Sequence, residues 1–116
     1  MKHFKLGFKS IKDGNASSTI TGDALKCALF DYALAYVKWS GAVRGVISFE
    51  VALEEGAVDK VEWYTLDDSS YTISTNSGSI ELNLERLCHA MIRPVFTFTS
   101  GSGTINITMN GKSMGG

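Results

Sequence analysis

The stretch that decides the fold, residues 91–109, reads MIRPVFTFTSGSGTINITM. Apolar and polar residues alternate on both sides of a turn rich in glycine and serine, at 99–103. Because successive side chains of a strand point to opposite faces, each arm can bury one face and expose the other. We therefore expect a closing β-hairpin, with core residues Ile92, Phe96, Phe98, Ile105 and Ile107.

The same alternation recurs along the rest of the chain, in short segments bounded by polar or glycine-containing turns. The pattern predicts strands at 4–9, 17–21, 43–53, 58–66, 71–75 and 79–84, and a turn at 12–15. In 43–53 the buried face is expected to run from Val43 to Leu53, and in 58–66 the side chains of Val61, Trp63 and Thr65 are expected to point inward. In all, about eight to ten short strands, spaced by roughly 8–12 residues, are typical of a β-sandwich or barrel.

Residues 24–39 fit two interpretations. Leu25, Leu29, Tyr32 and Tyr36 fall at helical spacing, and alanine and leucine favour a helix. The segment can equally be divided into two strands, at 25–30 and 33–39, because the tyrosines, valine and tryptophan of its second half favour strands. Periodicity alone leaves both open.

Length and charge limit the number of domains and the kinds of partner. The chain has 116 residues, which is the size of one domain, and 44% of them are hydrophobic. We expect a single antiparallel β-sandwich over 1–116, jelly-roll-like, with 110–116 as a flexible tail. A net charge of −1 without a basic stripe argues against nucleic-acid binding. No secretory signal or membrane-spanning run is apparent, so we expect a soluble product of cytoplasmic synthesis with no membrane partner.

The residues that commonly build metal or catalytic sites are few and scattered. Cys27 and Cys88 match no zinc spacing, and we expect buried thiols rather than a disulfide. His3 and His89 have no cysteine or aspartate at ligand spacing. We expect both rings to be solvated or locally hydrogen-bonded rather than catalytic, because a general base needs a positioned partner.

Acidic pairs and serines are also better explained as turn residues. Glu54-Glu55 and Asp67-Asp68 follow predicted strands, and the second pair lacks the alternating ligands of a calcium loop. No serine lies in a Gly-x-Ser-x-Gly turn between strand and helix. No predicted helix follows Gly101-Ser102-Gly103 to hold a phosphate. The sequence therefore predicts no catalytic residue, no cofactor and no metal, and a protein that is not an enzyme.

Aromatic residues and one arginine are the remaining candidates. Aromatic side chains fill sandwich cores and subunit contacts more often than they form sugar platforms. The residues concerned are Tyr36, Trp39, Trp63, Tyr64 and Tyr71. Arg93 lies on a predicted strand, and we expect it to pair with Glu50 or Glu62 or to lie at a subunit contact.

A series of short motifs spans residues 31–110. The motifs are DYA at 31–33, VKWSG at 37–41, GVISFEVALEEG at 45–56, WYTL at 63–66, TISTNSG at 72–78, LNL at 82–84, IRPV at 92–95, SGTI at 102–105 and NI at 106–107. This pattern resembles small β-sandwich proteins of tailed-phage virions, which serve as capsid decoration (cement) proteins or as modules of tails and baseplates. In this chain Glu54-Glu55-Gly56-Ala57 replaces the Asp-Gly turn usual in that pattern.

The resemblance implies strands at 33–39 and a virion location, and it supplies no catalytic residue. It implies a structural protein that stabilises the head lattice by many weak contacts with capsid or other virion proteins, and that could itself be a homo-oligomer such as a trimer. The edge strand 4–9 could add to a partner's sheet. The alternative is a carbohydrate- or receptor-binding module of a tail or baseplate, which would use Tyr64, Tyr71, Asp67 and Asp68.

Overall fold

The computed structural model describes residues 4–84 and 89–113. Those residues form two antiparallel sheets packed as a sandwich, without a helix, so the predicted fold class is confirmed. The strands are β1 (Phe4–Asn15), β2 (Ile20–Thr21), β3 (Leu25–Lys26), β4 (Tyr32–Ser40), β5 (Val43–Ala52), β6 (Tyr64–Thr65), β7 (Tyr71–Ile73), β8 (Gly78–Leu84), β9 (Met91–Gly101) and β10 (Thr104–Lys112).

The strand order gives the sandwich two lateral edges. The first sheet has the order β1-β10-β4-β8, and the second has the order β2-β9-β5-β6, with β3 on β9 and β7 on β5. A hydrogen bond of 2.8 Å from the Asp23 amide to the Ser10 carbonyl joins the sheets where β1 lies beside β2. On the other side Trp39 of β4 donates to the Thr75 carbonyl, 2.9 Å away, just after β7. We refer to these sides as the β1–β3 edge and the β6–β8 edge.

The predicted closing hairpin is wrong in its pairing, although both arms are strands. β9 pairs with β5, β2 and β3, whereas β10 pairs with β1 and β4, so the arms lie in different sheets. The connection turns at Gly101 and Gly103, whose φ angles are +81° and +142°. A Cβ at Gly101 would collide with the Ala42 carbonyl oxygen of the adjacent β4–β5 connection. Alternation in the sequence identifies strands but does not say which strand is the partner.

The core lies between the sheets and contains most of the residues expected there. Ile92, Phe96, Ile105 and Ile107 are each 0% exposed. Phe98 is 36% exposed, so its predicted core position is wrong. The β5–β9 register shifts beside it, where Gly45 pairs with Phe98 but Arg44 pairs with Ser100. Such a bulge re-aims the side chains of the strand that carries the extra residue.

The ambiguous stretch 24–39 contains two strands, of which β4 confirms the strand that the resemblance implied at 33–39, and the helical interpretation is wrong. It contains β3 and β4, joined by an irregular segment. Burial along β4 alternates, with Ala33, Ala35, Val37 and Trp39 buried. Since β4 hydrogen-bonds to β10 on one side and to β8 on the other, its pairing outweighs the helical preference of its alanines.

Several local predictions also differ from the structure. The predicted turn at 12–15 belongs to β1, which absorbs Asp13 at φ 49° within a register shift against β10. Residues 110–112, expected in a loose tail, extend β10 and pair with β4. In 58–66 only Tyr64–Thr65 is strand. Thr65 is exposed, and Leu53, expected inside, is 68% exposed.

Candidate functional site

Most of the residues that the sequence offered for metal binding or catalysis do not lie together in the structure. Among residues 4–84 and 89–113, no group of three or more His, Cys, Asp or Glu could hold a metal ion. His3 and Cys88 lie outside the described residues. Cys27 is buried, with its Sγ 3.4 Å from the His89 carbonyl oxygen. No helix in the described part of the chain could cross a membrane.

His89 differs from its predicted state at one nitrogen. In the part of the chain that the structure describes, its Nδ1 is buried and has no hydrogen-bond partner. The prediction of a solvated or locally hydrogen-bonded ring therefore fails for this atom. An unpaired buried ring nitrogen costs stability, and it places an unsatisfied polar atom beside the groove described below.

Arg93 forms the ion pair that the sequence suggested, with Glu50. Nη2 lies 2.8 Å from Oε1, and Nε donates to the same oxygen at 2.9 Å. The guanidinium carbon also lies 3.9 Å from the ring centroid of Trp63. The Trp63 indole donates to the Val58 carbonyl at 2.9 Å, so the ring covers the pair from the irregular segment after β5. We assign this cluster a structural role, since all its polar contacts lie within the chain.

A groove on the β6–β8 edge, which we call the acidic groove, gathers Tyr64, Asp67 and His89. Its volume is about 350 Å³, and Val51, Leu53, Thr65 and Leu66 complete its lining. Leu53 and Tyr64 are 68% and 49% exposed. The groove thus joins a large apolar surface to the carboxylate of Asp67 at one edge of the second sheet.

Tyr64 is held by an acidic neighbour. Its hydroxyl donates to Glu62 Oε2 at 2.7 Å. That hydrogen bond and the negative charge of Glu62, followed by partial burial and the charge of Glu54, raise the pKa of Tyr64 above its ordinary value of 10.0. Both carboxylates therefore lie close enough to this exposed ring to act on its hydroxyl.

The predicted sugar-binding set is only partly assembled. Tyr64 and Asp67 line the acidic groove, whereas Asp68 does not. Tyr71 is half-buried, and its ring lies 6.4 Å from that of Trp39, which is 3% exposed. Tyr71 and Trp39 therefore contribute to packing between the sheets rather than to the surface that carries Tyr64.

A second groove, on the β1–β3 edge, was missed by the sequence analysis. This basic groove has a volume of about 320 Å³ and is lined by Lys5, Phe8, Ala24, Leu25, Lys26 and Phe30. Large exposed apolar residues lie next to the lining residues along the chain. They are Phe4 (69% exposed), Leu6 (67%) and Leu29 (62%). Apolar residues alternating with lysines at 4–9 predicted an edge strand, but not its contact with 24–30.

The outer face of the first sheet exposes two tyrosines. Tyr32 and Tyr36 of β4 are 37% and 41% exposed. They share a face and lie roughly 13 Å apart at ~3.3 Å per residue. Tyr36 is flanked in register by Thr108 of β10 and Glu81 of β8. Tyr36 was among the sequence candidates and Tyr32 was not, although their spacing of four residues within an alternating strand places both on one face.

Comparison with known proteins gives the fold but no family. No protein-family model matches the chain, and no curated protein matches it. Solved structures do match it. The SPBc2 prophage-derived protein YomS is 15% identical over 97% of this chain and 96% of its own, with a TM-score of 0.61.

Two further structures share the fold. PirA is 10% identical over 93% of this chain and 92% of its own, with a TM-score of 0.54. A chain in the structure of infectious bursal disease virus Gx strain is 12% identical over 99% of this chain but 33% of its own, with a TM-score of 0.57. At these identities the likeness shows a shared β-sandwich fold and nothing finer.

Proposed function

We propose that this protein is a structural virion component that decorates the capsid and stabilises the head lattice through contacts with other virion proteins. The observation that carries the proposal is the exposure of Phe4, Leu6 and Leu29 on one edge and Leu53 on the other, each beside a groove. Large apolar side chains clustered at a surface indicate protein contacts. The fold shared with a prophage-derived protein and with a viral chain favours a virion as the setting.

The mechanism of stabilisation would be multivalent. A sandwich of this size offers small contact surfaces, and each bond to a capsid subunit would be weak. Many copies that each bridge neighbouring subunits raise the effective affinity without a strong single site. Lattice subunits held together in this way would resist internal pressure better than subunits without the bridge.

The test is the composition and stability of particles. Virions purified from cells that carry the gene should contain the protein at a fixed ratio to the capsid subunit, measured by quantitative mass spectrometry. Particles from a deletion strain should release DNA at a lower temperature than particles that contain the protein. Adding purified protein should restore the original release temperature. Particles that are equally stable with and without the protein would exclude the decoration role, and its absence from virions would exclude any structural virion role.

A second function, glycan binding, is favoured by the outer face of the first sheet. Tyr32 and Tyr36 present rings to solvent beside the hydroxyl of Thr108 and the carboxylate of Glu81. A sugar ring needs an aromatic face for its C–H groups and polar side chains for its hydroxyls. This combination would suit a receptor-binding module of a tail or baseplate.

A glycan array with two matched variants tests this second function. Loss of binding in Tyr36→Ala but not in Tyr64→Ala would place the site on the outer face of the first sheet. The opposite result would place it in the acidic groove. No bound glycan with the unaltered protein would remove the glycan-binding candidate.

A further inference from the structure

The two grooves lie on opposite edges of the second sheet, near the same end, where Lys26 pairs with Met91 of β9 and Met91 pairs with Ala52 of β5. The basic groove lies where β1 meets β3, and the acidic groove lies beside β6 and the segment that follows β5. Each is shallow and similar in volume, about 320 and 350 Å³. Each also has exposed apolar side chains in or next to its lining. A surface built in this way on both sides can link a molecule to two neighbours at once.

The charges of the two edges are opposite. Residues 53–68 carry a run of carboxylates against the single cation Lys60, and they are Glu54, Glu55, Asp59, Glu62, Asp67 and Asp68. The basic groove has Lys5 and Lys26 in its lining and no acidic residue there. Asp23 and Asp31 lie nearby along the chain but do not line the groove. The net charge of −1 for the whole chain conceals this asymmetry.

These charges are available to a partner. Within residues 4–84 and 89–113, neither Lys5 nor Lys26 takes part in an ion pair, nor do Glu54, Glu62 or Asp67. By contrast, Arg93 and Glu50 neutralise each other on the outer face of the second sheet. Charges without an ion pair thus lie beside both apolar grooves. Charges of opposite sign on two contacting surfaces give an interface specificity and raise its association rate.

We propose that the basic groove of one copy binds the acidic groove of the next copy, in a head-to-tail contact. Leu53 and Tyr64 of one molecule would pack against Phe8 and Phe30 of its neighbour. Lys5 and Lys26 would lie beside the carboxylates around Tyr64. A contact between like grooves is disfavoured, because it would bring lysines to lysines or carboxylates to carboxylates. A head-to-tail contact closes into a ring or continues as a filament, depending on its rotation.

This inference does not depend on the proposed virion role. It concerns purified protein, whereas the virion role is tested on particles. Self-association without binding to particles would support this proposal and overturn the decoration role. A monomeric protein found on virions would do the reverse.

Sedimentation velocity of the purified chain tests the contact. At low salt the mass should rise with concentration above the 12.5 kDa of one chain. Raising the ionic strength should weaken the association, because exposed charges are screened within about 3 Å at 1 M salt. Lys26→Asp should weaken it by at least about tenfold, or ~1.4 kcal/mol. Lys38→Asp, which alters an exposed lysine of β4 outside both grooves, should leave it unchanged.

A mixing experiment distinguishes head-to-tail contact from other contacts. Lys26→Asp damages only the basic groove. Leu53→Asn damages only the acidic groove, because it removes the apolar contact without adding a charge that would attract the lysines. Each variant alone should therefore be monomeric. An equimolar mixture should form a species of two chains and stop there, because the remaining pair of grooves is damaged on both sides. Circular dichroism of each variant checks that the fold persists, which the exposure of both positions leads us to expect.

Three results would overturn the proposal. The first is a 12.5 kDa species at every concentration up to about 1 mM in low salt. The second is association that Lys26→Asp or Leu53→Asn leaves intact. The third is a mixture of the two folded variants that stays monomeric. In the first case the acidic groove would instead be free for an unlike partner carrying basic side chains.

Discussion

Arg93 and Glu50 face each other across β9 and β5, and Arg93 Nη2 lies 2.8 Å from Glu50 Oε1. Trp63 covers the guanidinium with its ring centroid 3.9 Å from Cζ. The side chains of the pair are only 19% and 29% exposed. Removing one partner would therefore leave the other with a charge that is poorly solvated. The same ring restrains the irregular segment between β5 and β6, so the pair ties this segment to the sheet.

We predict that Arg93→Ala lowers the free energy of unfolding by about 1–3 kcal/mol, because Glu50 loses its partner and Trp63 loses its cation. Arg93→Lys should retain part of the stability, since lysine keeps the charge but not the planar contact. Urea denaturation monitored by tryptophan fluorescence measures both. Lys38→Ala, an exposed lysine on β4, is the control and should change stability by less than about 0.5 kcal/mol. Equal stability of Arg93→Ala and the unaltered protein would contradict the structural role of the pair.

Ile107 provides a test of the face assignment on β10. It is 0% exposed, whereas its neighbour Thr108 is half-buried on the opposite face, next to Lys9 in register. We predict that Ile107→Asp abolishes cooperative unfolding, since an unpaired carboxylate would be buried between the sheets. Thr108→Asp should remain folded, because its carboxylate reaches solvent and a lysine. Thermal unfolding by circular dichroism compares the two, and similar melting temperatures would show that the face is wrong.

The sequence predicts individual strands better than their arrangement. Alternation placed Ile105 and Ile107 in the core because side-chain direction is a local property of a strand. It could not show that β9 and β10 lie in different sheets, because pairing depends on contacts distant in the sequence. Phe98 was misplaced for a related reason. The extra residue at the register shift is Thr99 of β9, between Phe98 and Ser100, and such a bulge changes the direction of a side chain that the alternation put inside.

The candidate surfaces were predicted less well than the core. The Arg93–Glu50 pair was one of two pairings suggested by charge alone, and the structure selects it. The basic groove was not predicted, because Lys5 and Lys26 come from β1 and β3, which lie in different sheets and do not pair with each other. Tyr64 was chosen because its neighbours in the predicted strand were expected to point inward, and Asp67 because it follows that strand. The two share a groove because the chain between them is short. Packing between the sheets separated Tyr71 from them.

Gly101 tests how the chain passes between the sheets. Its φ of +81° and the nearby Ala42 carbonyl leave no room for a side chain. We predict that Gly101→Ala costs about 1–3 kcal/mol, the range for a strained backbone conformation. Ser102→Ala, one residue away on an exposed position, should be tolerated within about 0.5 kcal/mol. Chemical denaturation of both variants measures the difference. A Gly101→Ala protein as stable as Ser102→Ala would show that the connection does not need glycine there.

The hydrogen bond from Tyr64 to Glu62 predicts a specific pH dependence. Glu62 raises the pKa of Tyr64 in the folded protein above the value of 10.0 expected for an unfolded chain. The bond therefore stabilises the folded state fully below pH 10, and this contribution is lost as the pH rises through the raised folded pKa. Tyrosinate absorbance of the unaltered protein minus that of Tyr64→Phe isolates this residue. Glu62→Gln should lower the Tyr64 pKa toward 10.0, whereas Glu81→Gln, on β8, should not change it. A Tyr64 pKa at or below 10.0 in the folded, unaltered protein would mean that the bond to Glu62 does not form in solution.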